Sequence, residues 1–252
     1  MTRPYRAIVS SDWNGCLAPS GPFDFIIFHF PELRETVDGI FQSYTANRIS
    51  LGQAMQRMGR LLPHPITPAH MDAYLDDAFG IYSGVTELIE WCHRSDILFM
   101  INTTGVRGYF ERVLAKKLIP PVQVISAHPS VTFGNESTGA CQYLALDEID
   151  GKAVNTALIM KNYQIAQGRQ VLMGDSGGDG PHFRWGFHSK GFLIGCHTKP
   201  SLYSYCKEAG IVLDVDFSSG TPQDRAKEDH DGQALDFRQL IDIVSDYVNS
   251  QA

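Results

Sequence analysis

A chain of 252 residues holds one large domain, or a medium domain with a smaller one inserted into it. With 43% hydrophobic and 19% charged residues it has the composition of an ordinary globular protein with a sizeable core. A formal charge of -7, from 21 Lys and Arg against 28 Asp and Glu, argues against a nucleic-acid or anionic-membrane partner and leaves a small molecule as the default.

The N-terminal MTRPYRAIVSSDWNG has one short apolar run that breaks at once into polar residues, so it reads as neither signal peptide nor anchor. No later apolar stretch approaches the roughly 20 residues needed to span a bilayer. Cys16, Cys92, Cys141, Cys196 and Cys206 show no CxxC spacing and read as reduced thiols rather than a disulfide framework or a zinc knuckle. The expectation is a cytoplasmic protein with no membrane segment, and no motif favours a particular oligomeric state.

Short apolar runs at Ala7 to Ser10, Ile97 to Ile101, Val122 to Ile125, Val171 to Met173 and Phe192 to Ile194 read as strands buried on both faces. Stretches of helical period separate or follow them at Val85 to Arg94, Val106 to Lys117, Ala153 to Gln167, Leu202 to Ala209 and Phe237 to Val248. This alternation predicts an α/β fold, a doubly wound and mostly parallel Rossmann-like sheet with helices on both faces. From about Pro19 to Ile81 the pattern is helical without a convincing strand, so residues 17–82 read as an inserted helical cap on a core of 1–16 and 83–252. Val131 to Leu146, with turn signals at Gly134-Asn135 and Gly139, reads as a β-hairpin. Ser218 to Gly232 reads as a solvated loop.

In an open parallel sheet, ligands bind beyond the carboxyl ends of the strands. The first predicted strand ends in Ser11-Asp12-Trp13-Asn14-Gly15 and the second in Asn102-Thr103-Thr104-Gly105. A helix opens with Gly151-Lys152-Ala153, and the strand after it ends in Gly174-Asp175-Ser176-Gly177-Gly178-Asp179. A carboxylate at Asp12 can attack phosphorus and form an aspartyl-phosphate, splitting one difficult displacement into two easier ones. A hard cation such as Mg²⁺, held by Asp12, Asp175 and Asp179, would relieve the repulsion between the two anions. Lys152, the Thr103 and Thr104 hydroxyls and the backbone N–H groups from Gly105 onward are suited to phosphoryl oxygens.

In this order and at these strand ends, the four motifs resemble the signature of the haloacid dehalogenase superfamily. The resemblance implies Asp12 as nucleophile, Thr104 or its neighbour Thr103 as the phosphate-binding hydroxyl, and Lys152 as the basic residue. It further implies Asp175 and Asp179 as metal-binding acids, with the backbone carbonyl of Asn14 as another metal ligand. A helical insert after the first motif, and the Thr138-Gly139 turn before Gly151-Lys152-Ala153, are similar to phosphoserine phosphatase and its relatives. Arg48 to Leu62, and the chain onward to Leu118, are also similar to the methionine-salvage phosphatase. The implied activity is Mg²⁺-dependent hydrolysis of a small phosphorylated substrate.

One residue departs from that pattern. Phosphatases of this superfamily carry a second aspartate two positions after the nucleophile, as general acid and base, and here it is Asn14. An amide does neither job at neutral pH, which typically costs roughly 10² to 10⁴ in rate. The alternatives are a hydrolase for acyl phosphates, enol phosphates or phosphonates, a slow phosphatase or phosphotransferase, or a phospho-ligand-binding protein with little turnover. DWNG and NTTG are also similar to motifs of phosphonoacetaldehyde hydrolase, but that family uses a cap lysine and Cys16 to Arg94 contains none. The dehalogenases work without a metal, whereas the acids of a metal site are kept here.

Taken singly, each motif has a plain reading: a strand-end aspartate as a cap, a glycine-rich turn with two solvated acids. Order and placement together carry the catalytic reading. His182 and His188 read as helix-face residues, and His64 and His70 as loop residues near Pro63, Pro65 and Pro68. Arg34, Arg48, Arg57 and Arg60 read as a solvated helix face, and Phe28, Phe30, Phe41 and Tyr44 as interior of the insert.

Overall fold

The computed structural model describes residues 5–45, 48–134, 141–218 and 235–250. Strand β1 (Ala7–Ser11) is followed by four helices, α1 (Asp24–His29), α2 (Arg34–Thr45), α3 (Leu51–Leu61) and α4 (Pro68–Ala78). Then come α5 (Val85–Arg94), β2 (Ile97–Val106), α6 (Arg107–Ala115), β3 (Val124–His128) and β4 (Gln142–Ala145). The chain continues through α7 (Gly151–Asn162), β5 (Gln170–Gly174), α8 (Gly180–His188), β6 (Phe192–Cys196), α9 (Pro200–Ala209), β7 (Val215–Phe217) and α10 (Gln239–Ser250).

The strands form one sheet in the order β4-β3-β2-β1-β5-β6-β7, and every neighbouring pair is parallel. Alternation along each strand decides which layer it feeds. Ala7 and Val9 of β1, Phe99 and Ile101 of β2 and Ile125 of β3 pack with Val85, Leu88 and Ile89 of α5, Val113 of α6 and Leu240 and Val244 of α10. Ile8, Leu98, Met100 and Val124 point the other way, onto Ile159 and Met160 of α7, while Leu172 and Leu193 meet Phe183 of α8 and Leu202 of α9. Each such buried side chain stabilises by roughly 1.5–3 kcal/mol. The doubly wound architecture expected from the alternating pattern is therefore present.

Chain order runs outward from β1 through β2, β3 and β4, then returns to the other side of β1 for β5. The order in which strands are added thus reverses between the parallel neighbours β1 and β5, and a crevice forms at their carboxyl ends, where Asp12 and Asp175 follow directly.

Helices α1 to α4 lie between β1 and α5, and no strand forms there among the described residues. The insertion leaves and rejoins the sheet at one place, since the backbone N–H of Tyr82 donates to the carbonyl of Leu17 at 3.0 Å. Helix α3 starts with a capping box at Ser50 and Gln53, and α4 with one at Thr67 and His70. Across to the core, Arg112 of α6 grips Asp72 of α4 with two hydrogen bonds (2.8 and 2.9 Å) and Lys116 pairs with Asp76 at 2.7 Å. The carboxylate of Glu148, between β4 and α7, accepts from the N–H groups of Leu51 and Gly52 at 2.9 and 3.1 Å.

Three expectations change. The stretch read as a hairpin has no first arm: residues 131–134 form no strand, and β4 pairs parallel with β3 as the sheet edge. The connection from His128 to Gln142 is long enough for the crossover of about a dozen residues that a parallel pair needs. The turn at Asn135, Thr138 and Gly139, and most of the loop read at Ser218 to Gly232, lie outside the described residues. His70 is helical rather than in a loop, because Thr67 caps α4 and Pro68 takes its first turn. The short edge strand β7 has no apolar run of its own and was not anticipated.

Candidate active site

Asp12 is fixed by the strand it ends. Its N–H donates to Met173 of β5 at 2.9 Å, and its Oδ1 accepts from the N–H of Trp13 at 2.7 Å. Trp13 is fully buried and packs edge-on against Phe110 with ring centres 5.5 Å apart, anchoring the turn in the core. Gly15 takes a left-handed φ of 76°, and a β-carbon there would collide with the Asp175 carboxylate. The glycine thus lets the loop after β1 close onto the loop after β5.

A buried polar lattice sets Lys152. The Nδ2 of Asn102, on β2, lies 2.9 Å from the Lys152 carbonyl, 3.2 Å from Ser10 Oγ and 3.0 Å from Thr156 Oγ1. Thr156 in turn donates to the same carbonyl at 2.9 Å and meets His182 Nε2 at 3.0 Å. His182 is consequently an inward, buried helix residue, and burial pushes its imidazole down to about 3. The Lys152 ammonium lies 2.6 Å from Asp179 Oδ1 and 3.3 Å from Asp12 Oδ1. Burial alone would lower it, but Asp12 and Asp179 more than offset that and hold it above the usual lysine value.

Oxygens of Asp12, Asp175 and Asp179 lie within 4.8 Å of one another, and all three residues are buried. Burial pushes the Asp12 carboxyl up, opposed by Lys152 and reinforced by Asp179. Burial also raises Asp175 to about 7, with Lys199 opposing and Asp179 and Asp12 adding to the rise. Three crowded, buried carboxylates with no nitrogen or sulfur donor among them fit a hard divalent cation. Asp179 is the most committed of the three, because its Oδ2 also accepts from the N–H groups of Asp175 and Ser176 at 3.0 and 3.2 Å.

Asp12, Asn14, Thr104, Lys152 and Asp175 line one cavity of about 390 Å³ between sheet and insertion. The two threonines separate clearly. Thr103 is fully buried, takes the N–H of Gly105 on its Oγ1 at 3.1 Å and lies 3.5 Å from Asn14 Oδ1, whereas Thr104 faces the cavity. Gly105 therefore turns its N–H inward rather than toward the cavity. The Asn14 amide is directed at the insertion, Nδ2 donating to the Ser20 carbonyl at 3.0 Å.

Two wall residues differ from expectation. Phe41 and Tyr44 of α2 are not only interior to the insertion; both line this cavity. Burial pushes the Tyr44 phenol up to about 12, with the Lys152 charge and the neighbouring Thr104 hydroxyl opposing the rise. Lys199, at the start of α9, was not foreseen: its Nζ lies 2.5 Å from Asp175 Oδ2, and its backbone N–H donates to the Asp175 carbonyl at 2.7 Å. The strand-end rule would have found it had β6 been carried on to Cys196. Arg34, Arg48, Arg57 and Arg60 take no part in the cavity wall.

Neither a protein-family model nor a curated protein sequence matches the chain. Solved structures do. A substrate-bound phosphoserine phosphatase complex superposes with a TM-score of 0.68 at 13% identity, over 96% of this chain and 99% of the other. It has the phosphoserine phosphatase fold. A phospho-aspartyl intermediate analogue of phosphoserine phosphatase gives 0.66 at 14% identity, covering 95% and 99%. A cytosolic 5'-nucleotidase IIIB bound to cytidine gives 0.54 at 14% identity, covering 98% and 87%. Coverage of nearly the whole phosphoserine phosphatase chain means that the fold extends through the helical insertion as well as the sheet. Within it, no described helix is long and apolar enough to cross a membrane.

Proposed function

We propose that this chain is a Mg²⁺-dependent phosphohydrolase acting on a small phosphorylated molecule, with residues 1–16 and 83–252 as core and 17–82 as cap. The observation that carries the reading is the placing of Asp12: a buried carboxylate at the switch point of the sheet, 3.3 Å from the Lys152 ammonium and clustered with Asp175 and Asp179. Asp12, Asp175 and Asp179, with the backbone carbonyl of Asn14, would hold the cation. Bound there, Mg²⁺ supplies positive charge between a carboxylate nucleophile and a phosphoryl dianion.

Asp12 attacks phosphorus, while Lys152 and the Thr104 hydroxyl hold the phosphoryl oxygens and stabilise the charge that builds on them. The aspartyl-phosphate is then hydrolysed. The cap closes the cavity over the reacting atoms and shuts out bulk water until the first product leaves. A cytoplasmic setting is supported by the five free cysteines. Net charge speaks against nucleic acid as a partner.

A second reading rests on Asn14. Its amide is spent on the Ser20 carbonyl, so the residue that would protonate the leaving group in other phosphatases does not do so here. That favours a substrate with an activated leaving group, such as an acyl phosphate or a phosphonate, or a protein that binds phosphorylated ligands with little turnover. Phosphate release from a panel of esters, acyl phosphates and phosphonates with Mg²⁺, comparing the natural chain with Asp12→Ala, tests both. Release that vanishes with Asp12 establishes the hydrolase and its leaving-group class. No release, with Mn²⁺ and phosphate still binding, overturns it in favour of the binding protein.

A further inference from the structure

Cleaving an alkyl phosphate ester sends an electron pair onto an oxygen that must take up a proton, and Asn14 cannot provide it. The other proton-bearing groups around the cavity are mostly committed. Lys152 is held between Asp179 and Asp12, and Lys199 by Asp175. The Thr45 hydroxyl donates back into its own helix, to the Phe41 and Gln42 carbonyls at 3.1 and 3.3 Å. Tyr205 of α9 packs its ring against Gly180 at the start of α8. Tyr44 differs from all of these. It comes from the cap and lines the same cavity as Asp12, Lys152 and Thr104, the side chains assigned to the nucleophile and the phosphoryl group, with its hydroxyl beside Gly178 in the loop after β5.

We propose that Tyr44 is the general acid and base of this site, doing from the cap what the aspartate two residues after the nucleophile does in other phosphatases. The inference rests on the phosphohydrolase reading and supplies its missing step. As Asp12 forms its bond to phosphorus, the ester P–O bond breaks toward the leaving oxygen, which takes the phenol proton. The resulting phenolate is stabilised by the nearby Lys152 charge and by the Thr104 hydroxyl, the two influences that favour the ionised form of this phenol. Water then attacks the aspartyl-phosphate, gives one proton to the phenolate and its oxygen to phosphorus, and Asp12 leaves as the carboxylate. Tyr44 ends protonated, and the products are an alcohol and hydrogen phosphate. A phenol raised by burial keeps its proton at neutral pH and is still far more acidic than an alcohol.

Because the acid sits on the cap, it reaches the leaving group only when cap and core are closed, which ties proton delivery to exclusion of water. The Asn14 amide, by fixing Ser20, helps to hold the start of the cap in that arrangement.

The test compares two substrates of similar shape, p-nitrophenyl phosphate, whose leaving group departs as an anion, and benzyl phosphate, whose leaving group needs a proton. Tyr44→Phe is expected to lose roughly 10² to 10⁴ in kcat on benzyl phosphate, the usual worth of general acid catalysis, and clearly less on p-nitrophenyl phosphate, which needs no proton for its leaving group. A thermal melt reports that the variant is folded. Equal losses on both substrates, no loss on either, or a selective loss in Tyr205→Phe instead would overturn the assignment while leaving the hydrolase intact. A natural chain that cleaves neither substrate nor any acyl phosphate or phosphonate removes the hydrolase reading and this step with it.

Discussion

Glu148 accepts a hydrogen bond from the backbone N–H of Leu51, so a carboxylate between β4 and α7 closes the N-terminus of α3 in the helical insertion. With the second bond from Gly52 it satisfies two of the donors that α3 leaves open and places negative charge at the positive end of that helix. Glu148→Ala is expected to destabilise the protein by about 1 kcal/mol, in the range of lost helix caps. It should also raise KM more than it lowers kcat, because closure rather than chemistry is weakened. Urea melts together with steady-state kinetics on p-nitrophenyl phosphate check this, and Glu148→Gln should recover part of both effects.

The pH dependence of stability should change with Mg²⁺. Asp175 stands at about 7 in the folded chain against an ordinary 3.8, so between those values the folded state holds this proton more tightly than the unfolded state. Its contribution to stability therefore falls as pH rises from about 4 to about 7. His182 acts in the opposite sense: lowered from 6.5 to about 3, it costs stability as pH falls below 6.5. Denaturant melts at pH 5 and 7.5, with chelator and with Mg²⁺, separate the two. The cation should stabilise more at the higher pH, where the carboxylates are ionised, and Asp175→Asn should remove most of that difference.

Lys199 faces the carboxylate proposed to hold the cation. Lys199→Met is expected to tighten Mn²⁺ binding by a factor of a few, matching the ~1 kcal/mol that a partly exposed ammonium contributes after solvent screening. Titration followed by electron paramagnetic resonance reads this without any turnover. Unchanged or weaker binding would show that the ammonium does not compete with the metal.

Asn102 is fully buried and is not part of the wall of the cavity around Asp12, yet it holds the carbonyl of Lys152 from below. Asn102→Ala leaves buried acceptors without that donor and should cost about 1–3 kcal/mol. If the lattice positions Lys152, kcat should fall with KM little changed, a split that a loss of stability alone would not produce. Thermal melts and kinetics on the same preparation provide both readings.

Much of the fold was legible because its strands are short, fully buried and end abruptly. Asp12, Thr104 and Asp175 could be named for that reason, since a parallel sheet gathers strand ends at one edge and those ends carry polar residues, while Lys152 was marked by its place at the start of a helix. The residues that escaped notice lack such a marker. Tyr44 sits among aromatics at helical spacing, so only the docking of α2 over the sheet turns it into a cavity wall. Lys199 follows a strand whose last residues, Gly195 and Cys196, do not look like strand. β4 is half-buried and short, and its pairing depends on β3 far away in the chain rather than on a local turn.

The backbone hydrogen bond between Leu17 and Tyr82 puts both ends of the helical insertion within one hydrogen-bond length. A segment attached in this way is modular. The chain leaves the sheet and returns at one point, so the insertion does not interrupt the order of the strands. Side chains of the insertion that line the cavity, such as Phe41 and Tyr44, are thus set by the packing of α2, whereas Lys152 beneath them answers to the separate constraint of the buried polar lattice.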